Sequence, residues 1–248
     1  FCRVPARQVD LAIDLLGDVV TAPALRDGDV ESERQVILEE LAMDEDAPDD
    51  TAYRLLSEAL FPGHPLGRET AGESDTVGAI APADVRAFFA EHYRAGTMVV
   101  AIAGPIDHDE VVDRVDGAFA AIASGMPTLD RVAPMKALVT ATGEERDSEQ
   151  VHLVLGMRAV DRFDRDREAL DIVTHVLGGG PSSRLFQTIR EERGLTYSTY
   201  AGLSVYADAG SLVAYAATNP EHAAEVLGLL CREVDLIVDH GITDDEHD

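Results

Sequence analysis

The chain has 248 residues, 46% hydrophobic and 27% charged, enough to bury a core in one large or two mid-sized domains. Its 47 acidic residues against 20 basic ones give a formal charge of -27, which repels nucleic acid and anionic membrane surfaces and leaves basic or extended cationic partners open. Two distant cysteines, Cys2 and Cys231, form no Cys-x-x-Cys pair. They support neither a disulfide framework nor a cysteine-ligated zinc site and point to a reducing compartment.

Taken in chain order, residues 7–20 (RQVDLAIDLLGDVV) place Leu11, Leu15, Leu16 and Val19 on one helical stripe. Residues 30–60 predict two helices separated by an acidic, Pro-containing turn near Asp44–Asp50, and FPGHPLGRETAG (61–72) predicts an irregular loop. Pro82 opens a helix through Phe88, Phe89 and Tyr93. TMVVAIAG (97–104) predicts a buried strand, and 107–121 an amphipathic helix. Residues 125–148 mix Gly, Pro and polar residues without periodicity, so a linker is expected there between domains at 1–124 and 149–248.

Beyond it VHLVLGMRA (151–159) predicts a strand and DREALDIVTHVLG (166–178) a helix. Two strands follow around Thr196–Val205 and Ser211–Thr218, and Asn219-Pro220 supplies a cap and first turn for a helix through Val238. The helix from Pro5 and that from Pro220 share apolar offsets: Val9/Ala224, Leu11/Val226, Ala12/Leu227 and Leu15/Leu230. Read as a duplication, this makes the chain the end of one α+β unit and the start of a second copy, with Phe1-Cys2-Arg3 as the tail of a strand equivalent to 211–218. No stretch reaches the roughly 18 apolar residues of a membrane span. A cytoplasmic location is expected, with a targeting segment ahead of Phe1 left open.

Glu33 and Glu40 lie seven residues apart on ESERQVILEELAMDED, within about 20° of each other on one helical face. Such a pair is either a solvated face or a metal ligand with a supporting carboxylate two turns away. The eight histidines show no HxxH, HExxH or HxxEH spacing, and Ser182 and Ser183 lack a GxSxG elbow. GGGPSSRLFQTIREERGLTY (178–197) invites a phosphate-cradle reading. It has neither the lysine of a P-loop nor a preceding strand, so its glycines are expected to end one helix while Ser182 or Ser183 caps the next. Arg190 then sits on the last turn and Tyr197 begins a strand, within reach of one site.

The stretch from ESERQVILEE to GPIDHDEVV, followed by LGGGPSSRLFQTIREERGLTYSTYAGLSVYADAG, resembles the M16 zinc peptidases, the group that includes mitochondrial processing peptidase and insulin-degrading enzyme. The resemblance is to the bacterial branch and covers nearly all of the chain. It implies an α+β fold of two homologous α/β-sandwich-type domains, each an antiparallel-rich sheet packed by helices, and both incomplete here. It implies Zn2+ held by two histidines of an HxxEH helix and by a glutamate matching Glu40, with Glu33 as the supporting acid. Arg190 and Tyr197 match the Arg and Tyr that bind peptide substrate in the second domain.

The HxxEH helix is absent, so the resemblance implies the interior of a longer zinc metalloendopeptidase, inactive by itself and unsuited to hold zinc stably. Its substrates are expected to be peptides, basic by charge complementarity, and its partners a second copy or an M16-type subunit. A noncatalytic M16-like subunit that binds peptide or a catalytic partner is the alternative, and an acidic interaction module the third class.

Overall fold

The computed structural model describes residues 1–127 and 131–247. Its helices are α1 (Val9–Thr21), α2 (Asp27–Asp46), α3 (Pro48–Leu60), α4 (Ser74–Ala79), α5 (Pro82–His92) and α6 (His108–Ala118). There follow strand β1 (Val151–Ala159), α7 (Arg167–Gly178), a π-helical turn at Phe186–Glu191, strands β2 (Thr196–Val205) and β3 (Gly210–Thr218), α8 (Ala223–His240) and the short α9 (Asp244–His247). The fold is mixed helix and antiparallel sheet, the expected α+β class. Among the described residues no helix is long and apolar enough to cross a membrane.

Phe1–Glu39 with Glu73–Arg131 form one compact unit and Glu40–Gly72 with Val132–Asp248 another, the division falling inside α2. Residues 40–72 thus group with the chain that follows the expected linker, of which residues 128–130 lie outside the described residues. The cause is local. Leu138 N–H donates to the Ala59 carbonyl at 2.9 Å, the His64 ring nitrogen Nε2 meets the Val132 carbonyl at 2.9 Å, and Arg158 donates to the Leu60 carbonyl at 3.0 Å. The segment after Val132 is therefore laid along α3 rather than left as a free tether.

In the first unit α1 forms where the periodicity places it, yet the residues it buries are Ala12, Ile13 and Gly17, with α6 packed beside it. Arg114 on α6 donates to Asp10 on α1 at 3.0 Å. Leu11 and Leu15 are 59% and 55% exposed. Residues 97–104, expected as a buried strand, form none: Thr97 ends a 3-10 turn at Ala95–Thr97, 98–103 have no secondary structure, and Val99 and Val100 are exposed. A strand gains its ladder bonds only from a neighbour, and no other strand is found among this unit's described residues. Phe1–Arg3 likewise form no strand.

The second unit is built on a sheet of order β1-β3-β2, antiparallel at both pairings. Alternation puts Leu153, Leu155 and Met157 of β1, Ala201 and Leu203 of β2 and Leu212, Ala214 and Ala216 of β3 on one face. There they meet Leu177, Leu185, Ile189, Val226, Leu229 and Leu230, and burying each such large apolar side chain is worth about 1.5–3 kcal/mol. Val226 and Leu230 are 0% exposed, whereas Leu11 and Leu15, at the matching repeat offsets, are open. The same apolar stripe is covered where a sheet lies against it and bare where none is found among the described residues.

The opposite face of the sheet receives α3, and Arg158 stacks over Phe61 at 4.3 Å as its guanidinium reaches the end of that helix. α7 stops at Gly178, where a Cβ would come within 2.1 Å of the Ala201 backbone nitrogen, so only glycine lets the helix end rest against β2. The expected Asn219 cap is not made: Asn219 forms no side-chain cap bond, and a 3-10 turn at Pro220–His222 leads into α8 instead.

Beyond α8, Arg184 Nε and Nη2 donate to the two carboxylate oxygens of Glu246 at 2.6 and 2.7 Å, and Nη2 also reaches the Gly241 carbonyl at 3.0 Å. This bidentate pairing holds the Glu246 carboxyl down to about 2. A lowered folded-state value stabilises above the ordinary glutamate range and is lost as pH falls through that range toward 2. Amide protection factors at 241–247 in the intact protein should therefore fall between about pH 4.5 and 2 while those of β3 persist; equal protection of 241–247 across that window would contradict the coupling.

Candidate functional site

The stretch 178–197 stops one helix and starts another, as expected, but without a serine cap. Ser183 is buried and its hydroxyl has no partner among the described residues; its backbone carbonyl accepts from Gln187 N–H at 3.0 Å, and Gln187 Nε2 donates to the Pro181 carbonyl at 2.6 Å. The helix then widens. Glu192 N–H donates to the Gln187 carbonyl at 2.9 Å, the i to i+5 spacing of a π turn, a feature frequent at functional sites. Leu185 and Ile189 are fully buried while Arg190 stays exposed.

Gly194, with φ of 64°, closes the turn in the left-handed conformation that favours glycine, its N–H donating to the Arg190 carbonyl at 2.9 Å. The reversal brings Arg190 to the start of β2, where Nη1 donates to the Tyr197 carbonyl at 3.1 Å. Arg190 and Tyr197, expected at one site, are in contact.

Tyr197 is the extra residue of a β-bulge. Thr196 pairs with Thr218 and Ser198 with Ala217, leaving Tyr197 without an opposite number on β3. Its side chain is 84% exposed. The buried Thr196 hydroxyl lies 2.7 Å from the Ser198 carbonyl and 2.5 Å from that of Ala217, and it accepts from Ser198 N–H at 3.1 Å. That one side chain occupies the groups the bulge takes out of the ladder. Neither Thr196 nor the bulge has a sequence signal beyond a Thr-Tyr-Ser run, so both are found only in the structure.

Three positions further along β2, Tyr200 pairs with Tyr215 on β3 and stacks on it with ring centroids 4.8 Å apart. Tyr53 Oη of α3 donates to Tyr200 Oη at 2.8 Å, and Tyr215 Oη meets His152 Nδ1 at 2.8 Å. Burial, then the bond to Tyr200, pushes the Tyr53 phenol well above its usual range, and burial carries Tyr215 up to about 12. The Tyr53 and Tyr215 phenols are therefore neutral at physiological pH, and the Tyr215 ring stacks between those of Tyr53 and Tyr200.

Glu33 and Glu40 are exposed on α2, and neither has a hydrogen bond or ion pair among the described residues. Glu31, by contrast, pairs with Arg34 at 3.1 Å. No group of three or more His, Cys, Asp or Glu side chains that could hold a metal occurs among the described residues. A single carboxylate, Glu40, does not by itself fit a zinc ion, which takes three or four protein ligands.

Comparison with known proteins assigns the chain. Residues 79–248 match the model for the peptidase M16 inactive domain, and residues 1–74 the model for insulinase (peptidase family M16). The chain belongs to peptidase family M16. It is 40% identical to an uncharacterised zinc protease of Streptomyces coelicolor over 99% of its length and 55% of the relative's. It is 39% identical to one of Mycobacterium tuberculosis over 99% of its own length and 57% of the relative's.

The chain thus spans a little over half the length of these curated relatives. The M16 inactive-domain structure from Pseudomonas fluorescens superimposes with a TM-score of 0.92 at 25% identity, covering 97% of this chain and 59% of the other. A protease structure from Helicobacter pylori shares the fold, with a TM-score of 0.87 at 18% identity, over 98% of this chain and 60% of the other. In this M16 chain Thr196→Val should remove the bulge's clasp and leave Ser198 N–H unsatisfied. A loss of about 1–3 kcal/mol is expected in denaturant unfolding of the intact protein, and unchanged stability would show that the hydroxyl does not hold the bulge.

Proposed function

We propose that this chain is the substrate-holding part of a longer zinc metalloendopeptidase of family M16. Arg190 and Tyr197 contact an extended peptide, and Glu40, supported by Glu33, contributes one carboxylate to the metal. The contact of Arg190 with the bulged Tyr197 carries the reading. One guanidinium nitrogen is committed to the Tyr197 carbonyl, and the remaining N–H groups are free to donate to a peptide carbonyl. The bulge turns the phenol out to solvent beside them, where its hydroxyl can donate to a second carbonyl.

β2 is an edge strand with one side paired to β3, so an extended segment laid along it gains main-chain hydrogen bonds without any side-chain specificity. The net charge of -27 favours basic peptides. The part proposed for this chain is to bind and orient peptide; zinc, held in the complete enzyme by Glu40 together with ligands outside the described residues, would supply water activation. A second reading, a noncatalytic subunit working beside a catalytic partner, is favoured by the inactive-domain match over 79–248.

In the intact protein, cleavage of a quenched basic peptide should stop on chelation and return with zinc; binding without any cleavage would favour the noncatalytic subunit. Arg190→Ala should raise KM about 10-fold or more, the usual loss for a charged hydrogen bond, with zinc content unchanged. Unaltered affinity in that variant would remove both readings. Glu40→Gln should abolish zinc occupancy measured by metal analysis while Glu39→Gln retains it, and equal occupancy in the two would show that a different carboxylate holds the metal.

A further inference from the structure

Arg190 is exposed at the end of a helical turn, a position where a long side chain ordinarily samples many rotamers. Here the side chain is held from two sides. Its Nη1 donates to the Tyr197 carbonyl, and its Cζ lies 4.7 Å from the centroid of the Phe186 ring, inside the roughly 6 Å range of a cation–π contact. Phe186 and Arg190 are four residues apart on the same turn, the spacing at which helical side chains meet.

Leu185 and Ile189 fill the core from the neighbouring face with no exposed surface. They are the turn's fully buried anchors, whereas Phe186 is only half-buried. The ring thus lies at the edge of the core with Arg190 over it.

We infer that Phe186 is a positioning residue: its ring face fixes the Arg190 guanidinium against the Tyr197 carbonyl so that the unpaired N–H groups point outward for a peptide carbonyl. The inference rests on the peptide-binding role of Arg190 and adds the group that prepares it. Two fixed contacts define the plane of the guanidinium; one alone leaves it free to rotate about the remaining hydrogen bond. Replacing the ring by an aliphatic side chain of similar bulk keeps the covering of the core and removes the electrostatic face.

The test uses the intact protein with a quenched basic peptide. Phe186→Leu should raise KM about 3-fold, in line with an exposed cation–π contact, with kcat and Tm nearly unchanged, and Phe186→Trp should restore the wild-type value. Phe186→Leu added to Arg190→Ala should produce no further weakening. Independently of any peptide, the Arg190 side-chain N–H resonances should carry a ring-current shift that Phe186→Leu abolishes.

Equal weakening by Leu and Trp, an additive double variant, or Arg190 resonances indifferent to the ring would each overturn the inference while leaving the role of Arg190 intact. Arg190→Ala without effect on KM would instead overturn the peptide-binding reading on which it rests.

Discussion

Strand β3 is the constraint on which the second unit depends. It is hydrogen-bonded on both edges, and all of its residues but Val213 are buried. A strand so enclosed has no freedom of register: a slip by one residue would exchange Leu212, Ala214 and Ala216 for Ser211, Val213 and Tyr215 against α7 and α8. With β3 fixed, each irregularity in its neighbours becomes a defined displacement. The missing partner for Tyr197 is one, and the close seat of Gly178 on β2 is another.

The candidate site follows from that displacement. A bulge in an edge strand releases a side chain from the pleat, and the polar groups it frees must be satisfied nearby. Thr196 and Arg190 do this from opposite sides, the first from within the sheet and the second from the end of a π turn. The exposed groups of the candidate site are thus by-products of backbone accounting: Arg190 is held where it donates to the Tyr197 carbonyl, and that bond uses only one of its donors. Among the described residues Arg190 has no carboxylate partner; its contacts are the Tyr197 carbonyl and the Phe186 ring.

Much of the helical architecture was legible in the sequence, because amphipathic periodicity with Pro at first-turn positions is a local signal; α3, α5, α7 and α8 form within a few residues of where it places them. The strands β1, β2 and β3 were legible as runs of β-branched and apolar residues. The failures share one cause. Residues 97–104 have the composition of a buried strand and Leu11 and Leu15 the pattern of a buried stripe, but burial is a property of a pair of surfaces, and the first unit's described residues present no sheet to either. Ser183 and Asn219 have the chemistry of caps and make no cap bond, because one side chain is turned inward and the other precedes a 3-10 turn.

By itself the sequence determined the class of fold, the family resemblance and the seven-residue spacings of Glu33 with Glu40 and of Arg190 with Tyr197, since these depend on residue types at fixed intervals along the chain. Only the tertiary structure decided that Arg190 grips the Tyr197 backbone, that Phe186 lies under it and that Tyr197 stands out of its strand. Those facts are set by hydrogen-bond register against β3, by the i to i+5 widening of one helical turn and by a glycine at positive φ, and each depends on where other parts of the chain lie rather than on neighbours in sequence.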